Sequence, residues 1–569
     1  MGSLCNKVWN YKKIDEAKAR DIKNKLDIST FLARVLSTLP IDNISNISSF
    51  LKPKLDYFHD PFLLNDMGIS VDRIMKALEN KEKIVIFGDY DVDGITSTSL
   101  LYDFFKGIGA NIDYYIPNRI NEGYGISMKA LENVLAKKPS LIVTVDCGIT
   151  SIDEVSYITS KGIDIIITDH HTCGDVLPKA YGVINPVRKD STYPFRYLAG
   201  VGVAYKLVMA LCDKLGMKDF YLKYLDIVAL GTVADVVNLT DENRVIVRYG
   251  LKKMMKAPNM GIDKLLCVSG LKNKKLNTRS LGFGLAPRLN AAGRLSDAKK
   301  GVLLLTTEDE KKALEIAVSL DEENKLRQQK EHEILDEALK KIENNNLDKD
   351  KIIVVAGENW NKGIIGIVAS KITDKFYKPC IVLTITDGVA DGSARSINKF
   401  NILNAVNSCK DILLKYGGHE MAAGLALNAD RVEELREKLN EYADVHLREE
   451  DMCDTIDITM EVENNEITLD NAKRLEHLKP FGAGNPVPIF VCHNIKVSNI
   501  TRIGNDKHIR LSLGDKKVAQ VDAVGFNMGD LINKIDINNK IDVAFELNRN
   551  IWNGTENVQM IIKDLQIIN

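Results

Sequence analysis

The segment GDYDVDG places three carboxylates, Asp89, Asp91 and Asp93, on alternate residues directly after an apolar run. Carboxylates this close repel one another and need positive charge nearby. Three later segments, VDCG, TDHH and GTVADV, also place ionisable residues after apolar runs; these residues are Asp146, Asp169, His170, His171 and Asp235. The sequence around these segments supplies no matching Lys or Arg, which favours bound cations as the source of the charge.

Mostly oxygen ligands with one or two imidazoles suit Mn²⁺ or Mg²⁺ better than a thiolate-bound zinc. A cluster of this size can hold two ions about 3.5–4 Å apart, the spacing used for in-line displacement at a phosphoester. The alternative is that each Asp is only an N-cap for a following helix, because Asp is a good capping residue. That alternative explains any one segment, but it does not easily explain four in one sheet. The residues therefore predict metal-dependent phosphoester hydrolysis.

Parallel strands must position these side chains. Between about residues 80 and 240, short apolar runs alternate with amphipathic stretches, which predicts βαβ units. Six runs read as buried strands: KIVIFGDY, IDYYIP, LIVTVDCG, IDIIITDHH, YGVINP and DIVALGTVAD. Ligands bind at the carboxyl ends of strands in an open parallel sheet. We therefore expect the four acidic segments to meet at that edge.

The chain has 569 residues, which suggests two to four domains. The predicted fold class is α/β: a parallel-sheet domain joined by a long helix to a second α/β domain, plus a C-terminal OB-like β-barrel. The predicted divisions are a helical segment at 1–75, the parallel-sheet domain at 76–305, the connector helix at 306–346, the second α/β domain at 347–450 and the barrel at 451–569.

Composition excludes several other classes of protein. The formal net charge is −2, so a polyanionic ligand would need a local basic groove. The 9 Cys include no CxxC pair, which argues against a disulfide scaffold or zinc ribbon and for a reducing compartment. There is neither an apolar signal core nor an apolar run of transmembrane length. We therefore expect a cytoplasmic protein without a membrane partner.

The four acidic segments, in this order, resemble the motifs of the DHH phosphoesterase superfamily. Within it, the chain resembles the RecJ family of single-strand DNA exonucleases along nearly its full length. The tetrad is shared with pyrophosphatases and short-oligonucleotide phosphodiesterases, whereas LAPRLNAAGRLSDA and LKPFGAGNPVPIF are much more specific to the RecJ family. The resemblance implies a DHH phosphoesterase domain at 76–305, a DHH-associated domain at 347–450 and an oligonucleotide-binding fold at the end.

The resemblance implies a role for each acidic-segment residue. The expected metal ligands are Asp91, Asp93, Asp146, His170 and Asp235, with Asp146 bridging two ions. His171 is expected to face the scissile phosphate as a catalytic group. Asp89 is expected either to bind metal or to orient the attacking water. Asp169 either holds the His pair in place or caps a helix.

The resemblance also implies residues that hold substrate. They are Arg119, Arg288, Asn290, Arg294, Ser393, Arg395, Gly417 and Gly418, with His419 as a further catalytic group beside the phosphate. Any single Arg among them could instead be a solvated surface residue. One position departs from the family pattern, because Asn361 stands where the family usually has His. Asn can keep a hydrogen bond there but cannot carry charge.

In the barrel region, basic residues and an aromatic side chain could bind single-stranded nucleic acid. These are His508, Arg510, Lys516, Lys517 and Trp552, of which Trp552 could equally be a packed core residue. The resemblance implies a 5′→3′ exonuclease that hydrolyses single-stranded DNA to mononucleotides in DNA repair and recombination, using two Mn²⁺ or Mg²⁺ ions. Its expected partners are a single strand with a 5′ end, a helicase and a single-strand-binding protein, and we expect a monomer.

Two alternatives remain. One is an oligoribonucleotide or cyclic-dinucleotide phosphodiesterase of the same superfamily, although such enzymes are usually shorter and lack the barrel region. The other is a non-catalytic single-strand-binding replication factor, although such a protein should have lost metal ligands that this sequence retains.

Overall fold

The computed structural model describes residues 3–5, 7–41, 43–118, 122, 125–514 and 520–568. The chain forms two compact units. The parallel-sheet unit contains Pro53–His332 and Pro480–Pro486, and the barrel unit contains Met1–Lys52, Glu333–Lys479 and Val487–Asn569. None of the helices that the structure describes is both long and apolar enough to cross a bilayer.

In the first segment of the barrel unit, the described residues form one strand and three helices: β1 (Lys7–Tyr11), α1 (Glu16–Leu26), α2 (Thr30–Ser37) and α3 (Ile44–Leu51). Strand β1 pairs in parallel with the later strand Asp454–Ile458. The sequence pattern predicts one helical segment at 1–75 and gives no sign of strand β1. Its partner is more than four hundred residues away, so no local pattern signals the pairing.

The parallel-sheet unit alternates strands and helices and then becomes all helical. Its elements are α4 (Met67–Glu79), β2 (Ile84–Gly88), α5 (Val92–Gly107), β3 (Ile112–Tyr115), α6 (Met128–Leu135), β4 (Leu141–Val145), α7 (Ile152–Ser160), β5 (Asp164–Thr168), β6 (Gly182–Ile184), α8 (Gly200–Lys214), α9 (Leu225–Ala234), α10 (Asp241–Lys256), α11 (Met260–Val268), α12 (Ala286–Leu295) and α13 (Lys299–Thr306).

The five strands of this unit are all parallel, in the order β3-β2-β4-β5-β6. Strands β2 and β4 are buried throughout, which explains their continuous apolar runs. From β2 the chain first adds β3 on one side and then β4 on the other. The crevice at such a reversal of strand order is the usual ligand site of an open α/β sheet.

One predicted strand is wrong, because DIVALGTVAD forms helix α9. Every residue from Leu225 to Thr232 in this helix is buried. A helix buried on all sides has the same continuous apolar character as a buried strand, and periodicity cannot separate the two over so short a run. Asp235 therefore follows the carboxyl end of a helix and not of a strand.

A single long helix, α14 (Glu310–Asn344), follows where the sequence predicts a connector. Its first part packs into the parallel-sheet unit, where Ala313, Ala317 and Leu320 are fully buried. In its second part, within the barrel unit, Glu337 accepts a hydrogen bond of 2.9 Å from Trp360 Nε1.

The middle of the barrel unit is a mixed five-stranded sheet with helices. Its elements are β7 (Ile353–Glu358), α15 (Ile365–Phe376), β8 (Cys380–Thr386), β9 (Val389–Arg395), α16 (Ile402–Ser408), β10 (Leu413–His419), β11 (Ala422–Asn428) and α17 (Val432–His446). The strand order is β10-β11-β9-β8-β7. Only the β7–β8 pair is parallel among these strands.

The last part contains the predicted barrel. Its elements are β12 (Asp454–Ile458), β13 (Met460–Glu461), α18 (Leu469–Leu475), β14 (Ile489–Ile503), β15 (His508–Leu513), β16 (Val521–Gly525), β17 (Lys540–Trp552) and β18 (Thr555–Ile568). The order β14-β15-β16-β18-β17 is closed by a further β14–β17 pairing. This closed five-stranded arrangement confirms the OB-like barrel.

Candidate metal centre

The carboxyl ends of β2, β4 and β5 bring the acidic segments together. The strand register aligns the last residues of these three strands. Asp89 follows β2, Asp146 follows β4, and Asp169 follows β5. Because β2 and β4 flank the reversal of strand order, their acidic residues lie at the crevice of the sheet.

His170 lies among three carboxylates. Its Nε2 atom is 3.2 Å from Asp146 Oδ1, 3.5 Å from Asp235 Oδ2 and 3.8 Å from Asp93 Oδ2. The described residues contain three overlapping groups whose ligand atoms lie within 4.8 Å of one another: Asp146, His170 and His171; Asp93, His170 and Asp235; Asp89, Asp91 and Asp146. We call these seven residues the metal centre.

Asp93 is held by the start of helix α8. Its Oδ2 accepts a hydrogen bond of 2.6 Å from Gly200 N, and its Oδ1 accepts one of 2.9 Å from Val201 N. The partial positive charge of a helix N-terminus stabilises a carboxylate. A methyl group on Gly200 would lie 2.6 Å from Asp146 Oδ1, so glycine is needed for this close approach.

The N-cap alternative is correct for one oxygen of Asp91. This residue is the N-cap of α5, and its Oδ1 accepts a hydrogen bond of 3.0 Å from Gly94 N. The same carboxylate still belongs to a group with Asp89 and Asp146. Capping therefore orients Asp91 without removing it from the metal centre.

Asp169 holds the histidine pair. Its Oδ1 accepts hydrogen bonds from the backbone nitrogens of His170 and His171, at 2.7 and 3.1 Å. The same oxygen lies 2.7 Å from His171 Nδ1, and Oδ2 accepts a bond of 2.9 Å from Ile149 N. Asp169 is buried, so these bonds fix both imidazoles relative to the sheet.

Burial controls the charges of the metal centre. Burial and the neighbouring carboxylates raise the pKa values of Asp93 and Asp146, and burial with the charge of Asp91 raises the pKa of Asp235 to about 7. Burial and the charge of His171 lower the pKa of His170 to about 4. A neutral imidazole is the form that binds a metal.

The donor atoms fit divalent cations. Asp146 Oδ1, His170 Nε2 and Asp235 Oδ2 are buried, and none has a hydrogen-bond partner among the described residues. No described Lys or Arg nitrogen lies within 4.0 Å of the carboxylates of Asp93, Asp146 or Asp235. Carboxylates with imidazole suit Mn²⁺ or Mg²⁺, and cations would satisfy these donors.

Two backbone positions, one in the metal centre and one directly after it in the chain, have a positive φ. Asp146 has φ +59°, and Val236, directly after Asp235, also has φ +59°. A positive φ is uncommon for a non-glycine residue and unusual for a β-branched one. Such strain often occurs at functional sites, where the surrounding structure holds it in place.

Helix α12 carries three predicted substrate residues. Asn290 Oδ1 accepts a hydrogen bond of 3.2 Å from Val92 N, so this side chain supports the first acidic segment. Arg288 donates to Asp321 Oδ1 at 2.8 Å through Nε and also to the Gly284 carbonyl. Arg294 lies in the last turn of α12. The predicted phosphate contacts of all three residues stay predictions.

A second set of predicted residues lies on three adjacent strands of the mixed sheet. Arg395 pairs with Ala422, which pairs with His419. Two residues further along these strands, Ser393 and Gly417 both pair with Gly424. We call the five predicted residues of this set the GGH edge: Ser393, Arg395, Gly417, Gly418 and His419.

The GGH edge is open and preorganised. Arg395 Nη1 donates a hydrogen bond of 2.9 Å to Ser393 Oγ. Gly417, Gly418 and His419 are exposed. Gly418 has φ +148°, and a methyl group there would lie 2.4 Å from the Ala422 carbonyl oxygen. Glycine is therefore required for this close strand approach.

Four further residues named from the sequence remain to be placed. Arg119, together with Lys516 and Lys517 in the barrel region, lies outside the described residues. Asn361, where the family usually has His, accepts a hydrogen bond of 2.9 Å from Gly363 N and so stabilises its own turn.

The barrel presents the aromatic side chain of Trp552 to solvent. Trp552 is 72% exposed, so the alternative that it packs in the core is wrong. It pairs with Thr555 at the tip of the β17–β18 hairpin. Arg510 Nε lies 2.6 Å from Asp522 Oδ1, and His508 Nδ1 accepts a hydrogen bond from Asn527 N.

Sequence reasoning missed the supporting role of the α8 N-terminus. The stretch YLAGVGVAYKL contains Gly200 and Gly202 at the start of a helix, and this is the signal that could have identified it. Glycines at a helix start permit close approach to a carboxylate, but the sequence does not show which carboxylate lies there.

Comparisons with known proteins agree with this architecture. The family models for the DHH family N-terminal domain, the DHHA1 domain and the RecJ OB domain match residues 83–232, 349–444 and 458–564. The single-stranded-DNA-specific exonuclease RecJ of Bacillus subtilis is 40% identical over 98% of this chain and 71% of that protein. Its counterpart from Haemophilus influenzae is 32% identical over 98% of this chain and 100% of that protein.

Solved structures of RecJ proteins are also similar to this chain. The crystal structure of RecJ from Thermus thermophilus in complex with Mn²⁺ has a TM-score of 0.85 and 27% identity, covering 100% of this chain and 80% of that chain. The complex of the same protein with Mg²⁺ has a TM-score of 0.78 and 26% identity, covering 99% of this chain and 79% of that chain.

Proposed function

Because this chain belongs to the RecJ family of single-stranded-DNA-specific exonucleases, we propose that it hydrolyses single-stranded DNA with two bound Mn²⁺ or Mg²⁺ ions. The observation that carries the proposal is the buried cluster around His170. Its three neighbouring carboxylates have no described Lys or Arg within 4.0 Å. A cluster of this composition supports a cation-dependent reaction at a phosphate.

The proposed metal ligands are Asp91, Asp93, Asp146, His170 and Asp235, with Asp89 as a further ligand or as the group that orients the water. When bound, two divalent cations supply an activated water and neutralise the charge that develops on the phosphate. The chain itself contributes position. Asp169 fixes the imidazoles of His170 and His171, and the start of α8 fixes Asp93.

His171 is proposed to act on the substrate and not mainly on the metal. Burial opposes its protonation, yet the hydrogen bond and the charge of Asp169 raise the pKa of His171 to about 9. A protonated imidazole beside an anionic phosphate can donate a hydrogen bond to it. The side chain is 40% exposed, so a ligand can reach it.

Substrate binding is proposed for the GGH edge, for Arg119, Arg288, Asn290 and Arg294, and for the barrel. At the GGH edge, Arg395 and His419 offer charge-assisted hydrogen bonds to phosphate oxygens, and the glycines allow close approach. In the barrel, Trp552 offers an exposed face for stacking on a base. The 5′→3′ polarity, the mononucleotide product and a role in DNA repair and recombination are proposed from the family resemblance.

Further parts of the proposal concern context. We place the protein in the cytoplasm as a monomer, acting with a helicase and a single-strand-binding protein. The domain divisions at 1–75, 76–305, 306–346, 347–450 and 451–569 likewise stay predictions, although the family models match within three of them.

End-labelled single strands test the function directly. DNA and RNA strands labelled at either end are digested with Mn²⁺, Mg²⁺ or EDTA. We expect loss from the 5′ end of DNA with either metal and no cleavage in EDTA. Preference for short RNA or a cyclic dinucleotide would identify the phosphodiesterase alternative. Binding without cleavage under every metal condition would identify a non-catalytic strand binder.

A further inference from the structure

The turn Pro480–Pro486 is the part of a family-specific motif to which the proposed function assigns no role. Seven residues of this turn belong to the parallel-sheet unit, whereas the chain on both sides belongs to the barrel unit. The turn is closed by hydrogen bonds from Gly482 N to Asn485 O at 2.9 Å and from Asn485 N to Gly482 O at 3.1 Å. Buried Asn485 also donates to the Pro480 carbonyl at 2.8 Å.

The tip of the turn packs on the segment that follows Asp235. Leu239 N donates a hydrogen bond of 2.7 Å to the Ala483 carbonyl. Gly484 has φ +70°, and a methyl group there would lie 3.0 Å from Asn238 Cβ. A methyl group on Gly482 would lie 2.6 Å from Leu239 Cδ1. The positive φ of Gly484 and its contact with Asn238 therefore require glycine at this position, whereas Gly482 contacts the end of the flexible Leu239 side chain.

Two further bonds fix the base of the turn. Thr278 Oγ1 donates a hydrogen bond of 2.7 Å to the Phe481 carbonyl. Arg244, which is fully buried in α10, donates from Nη1 to the Pro480 carbonyl at 3.3 Å. The turn is thus attached at its tip to Leu239 and at its base to Arg244 and Thr278.

The segment after Asp235 needs external support. Val236 is a β-branched residue with φ +59°, a conformation that persists only when neighbouring structure enforces it. From helix α10, Asn243 Nδ2 donates a hydrogen bond to the Asn238 carbonyl at 3.0 Å. Asn238 is therefore held between α10 and the turn, two residues after the strained position.

We propose that the turn Pro480–Pro486 is a positioning element for the metal ligand Asp235. It holds Asn238 and Leu239, which in turn hold the strained Val236 and keep Asp235 Oδ2 beside His170 Nε2. The inference rests on the proposed role of Asp235 in metal binding. It assigns a contribution to the metal centre to residues that follow Asp235 by more than two hundred positions.

The main test compares two glycine substitutions in the full-length protein. Gly484→Ala introduces a methyl group at φ +70° against Asn238, whereas Gly270→Ala introduces one at φ +65° with no neighbour within 4 Å. Mn²⁺ binding is titrated by electron paramagnetic resonance, and hydrogen exchange reports protection of the Leu239 amide. We expect Gly484→Ala to weaken binding of one ion by roughly tenfold or more. Gly270→Ala should match the wild type.

Thr278→Val provides a second variant should Gly484→Ala fail to fold. It removes the hydroxyl that contacts Phe481 while keeping the shape, and Thr278→Ser should restore Mn²⁺ affinity. The proposal is overturned if Gly484→Ala and Thr278→Val both bind Mn²⁺ with wild-type affinity. If Gly484→Ala does not fold, wild-type Mn²⁺ affinity of Thr278→Val alone overturns it. If the wild type binds Mn²⁺ but does not cleave DNA, the proposed function is rejected. The Mn²⁺ affinities of the variants and the wild type would still test the role of the turn, because they do not depend on cleavage.

Discussion

The metal centre and the GGH edge present their polar groups in opposite ways. In the metal centre, Asp93 and Asp146 are buried at the end of a parallel sheet, and burial together with neighbouring carboxylates raises the pKa of each. At the GGH edge, Gly417, Gly418 and His419 are exposed on an outer strand of a mixed sheet. Buried like charges favour a bound cation, whereas an open polar edge favours a larger anionic ligand.

This difference indicates a division of work. Buried carboxylates without a bound cation repel one another and lower the stability of the folded protein. The groups that the metal centre needs for function therefore reduce stability in the metal-free protein. A site that displays neutral backbone and one Arg can be formed without such a cost. Variants of the metal centre should therefore change turnover, and variants of the GGH edge should change substrate affinity.

The largest effect is expected for Asp146→Asn. This change removes a carboxylate that belongs to two of the three ligand groups, and Asn tolerates the positive φ of this position. Turnover of single-stranded DNA at saturating Mn²⁺ should fall by roughly a thousandfold or more, the scale of losing a preorganised electrostatic group. Asp153→Asn, an exposed acid in the first turn of α7, is the matched control. Near-normal turnover would contradict the two-ion assignment.

Arg395→Ala should have the next largest effect. It should separate the role of the GGH edge in substrate affinity from the role of the metal centre in turnover. A lost hydrogen bond to a charged group costs about 1.5–3 kcal/mol, which corresponds to a rise in KM of roughly tenfold or more. The value of kcat should change much less, because the metal centre is untouched. Arg431→Ala, which removes an exposed ion pair with Glu434 in the same unit, is the control. A fall in kcat with constant KM would instead place Arg395 in the chemical step.

Asp146→Asn should also stabilise the protein in EDTA, by about 0.5–2 kcal/mol near neutral pH. Burial and neighbouring carboxylates raise the pKa of Asp146, so the folded protein binds this proton more tightly than the unfolded chain. Its contribution to stability is present at low pH and is lost as pH rises through the folded pKa. The advantage of the variant should therefore be larger at pH 7.5 than at pH 4.5.

Thermal or urea unfolding at the two pH values measures this difference. Added Mn²⁺ should reverse the order, because only the folded wild type gains the full binding energy of the ions. Equal stability of wild type and variant in EDTA at both pH values would show that the Asp146 carboxylate does not destabilise the folded protein.

The smallest effect is expected for Trp552→Ala. Stacking on a base contributes about 1–3 kcal/mol, so affinity for a long single strand should fall severalfold. The melting temperature should not change, because the side chain is 72% exposed. Val445→Ala, at another position of high exposure in the same unit, is the control. A lower melting temperature with unchanged affinity would make Trp552 structural.

Local sequence signals explain which features could be predicted. Asp89, Asp146 and Asp169 directly follow buried strands, so the apolar runs place them correctly at one edge. Asp235 was assigned to the same edge through a strand that is in fact helix α9. Asp235 nevertheless lies beside His170, because the motif and not the predicted element type identifies this residue. Over so short a run, a fully buried helix and a buried strand have the same composition.

Long-range contacts could not be predicted. The hydrogen bonds from Gly200 and Val201 to Asp93 join residues more than a hundred positions apart. The support of Leu239 by Ala483 spans an even longer separation. In each of these contacts the donor is a backbone N–H, which nearly every residue type has, so the identity of the donor residue does not reveal its partner. The glycines at these close approaches, such as Gly200 and Gly484, are the sequence signal that accompanies them.

The parallel pairing of β1 with β12 has a consequence for synthesis on the ribosome. Lys7 and Asp454 lie 447 positions apart in the chain, so β1 emerges long before its partner exists. At roughly 5–20 residues per second, the strand waits on the order of 20–90 s with its backbone groups unpaired. During that interval it is an exposed edge that other nascent chains can join. We therefore expect chaperone binding to this segment to last until the β12 region has left the exit tunnel.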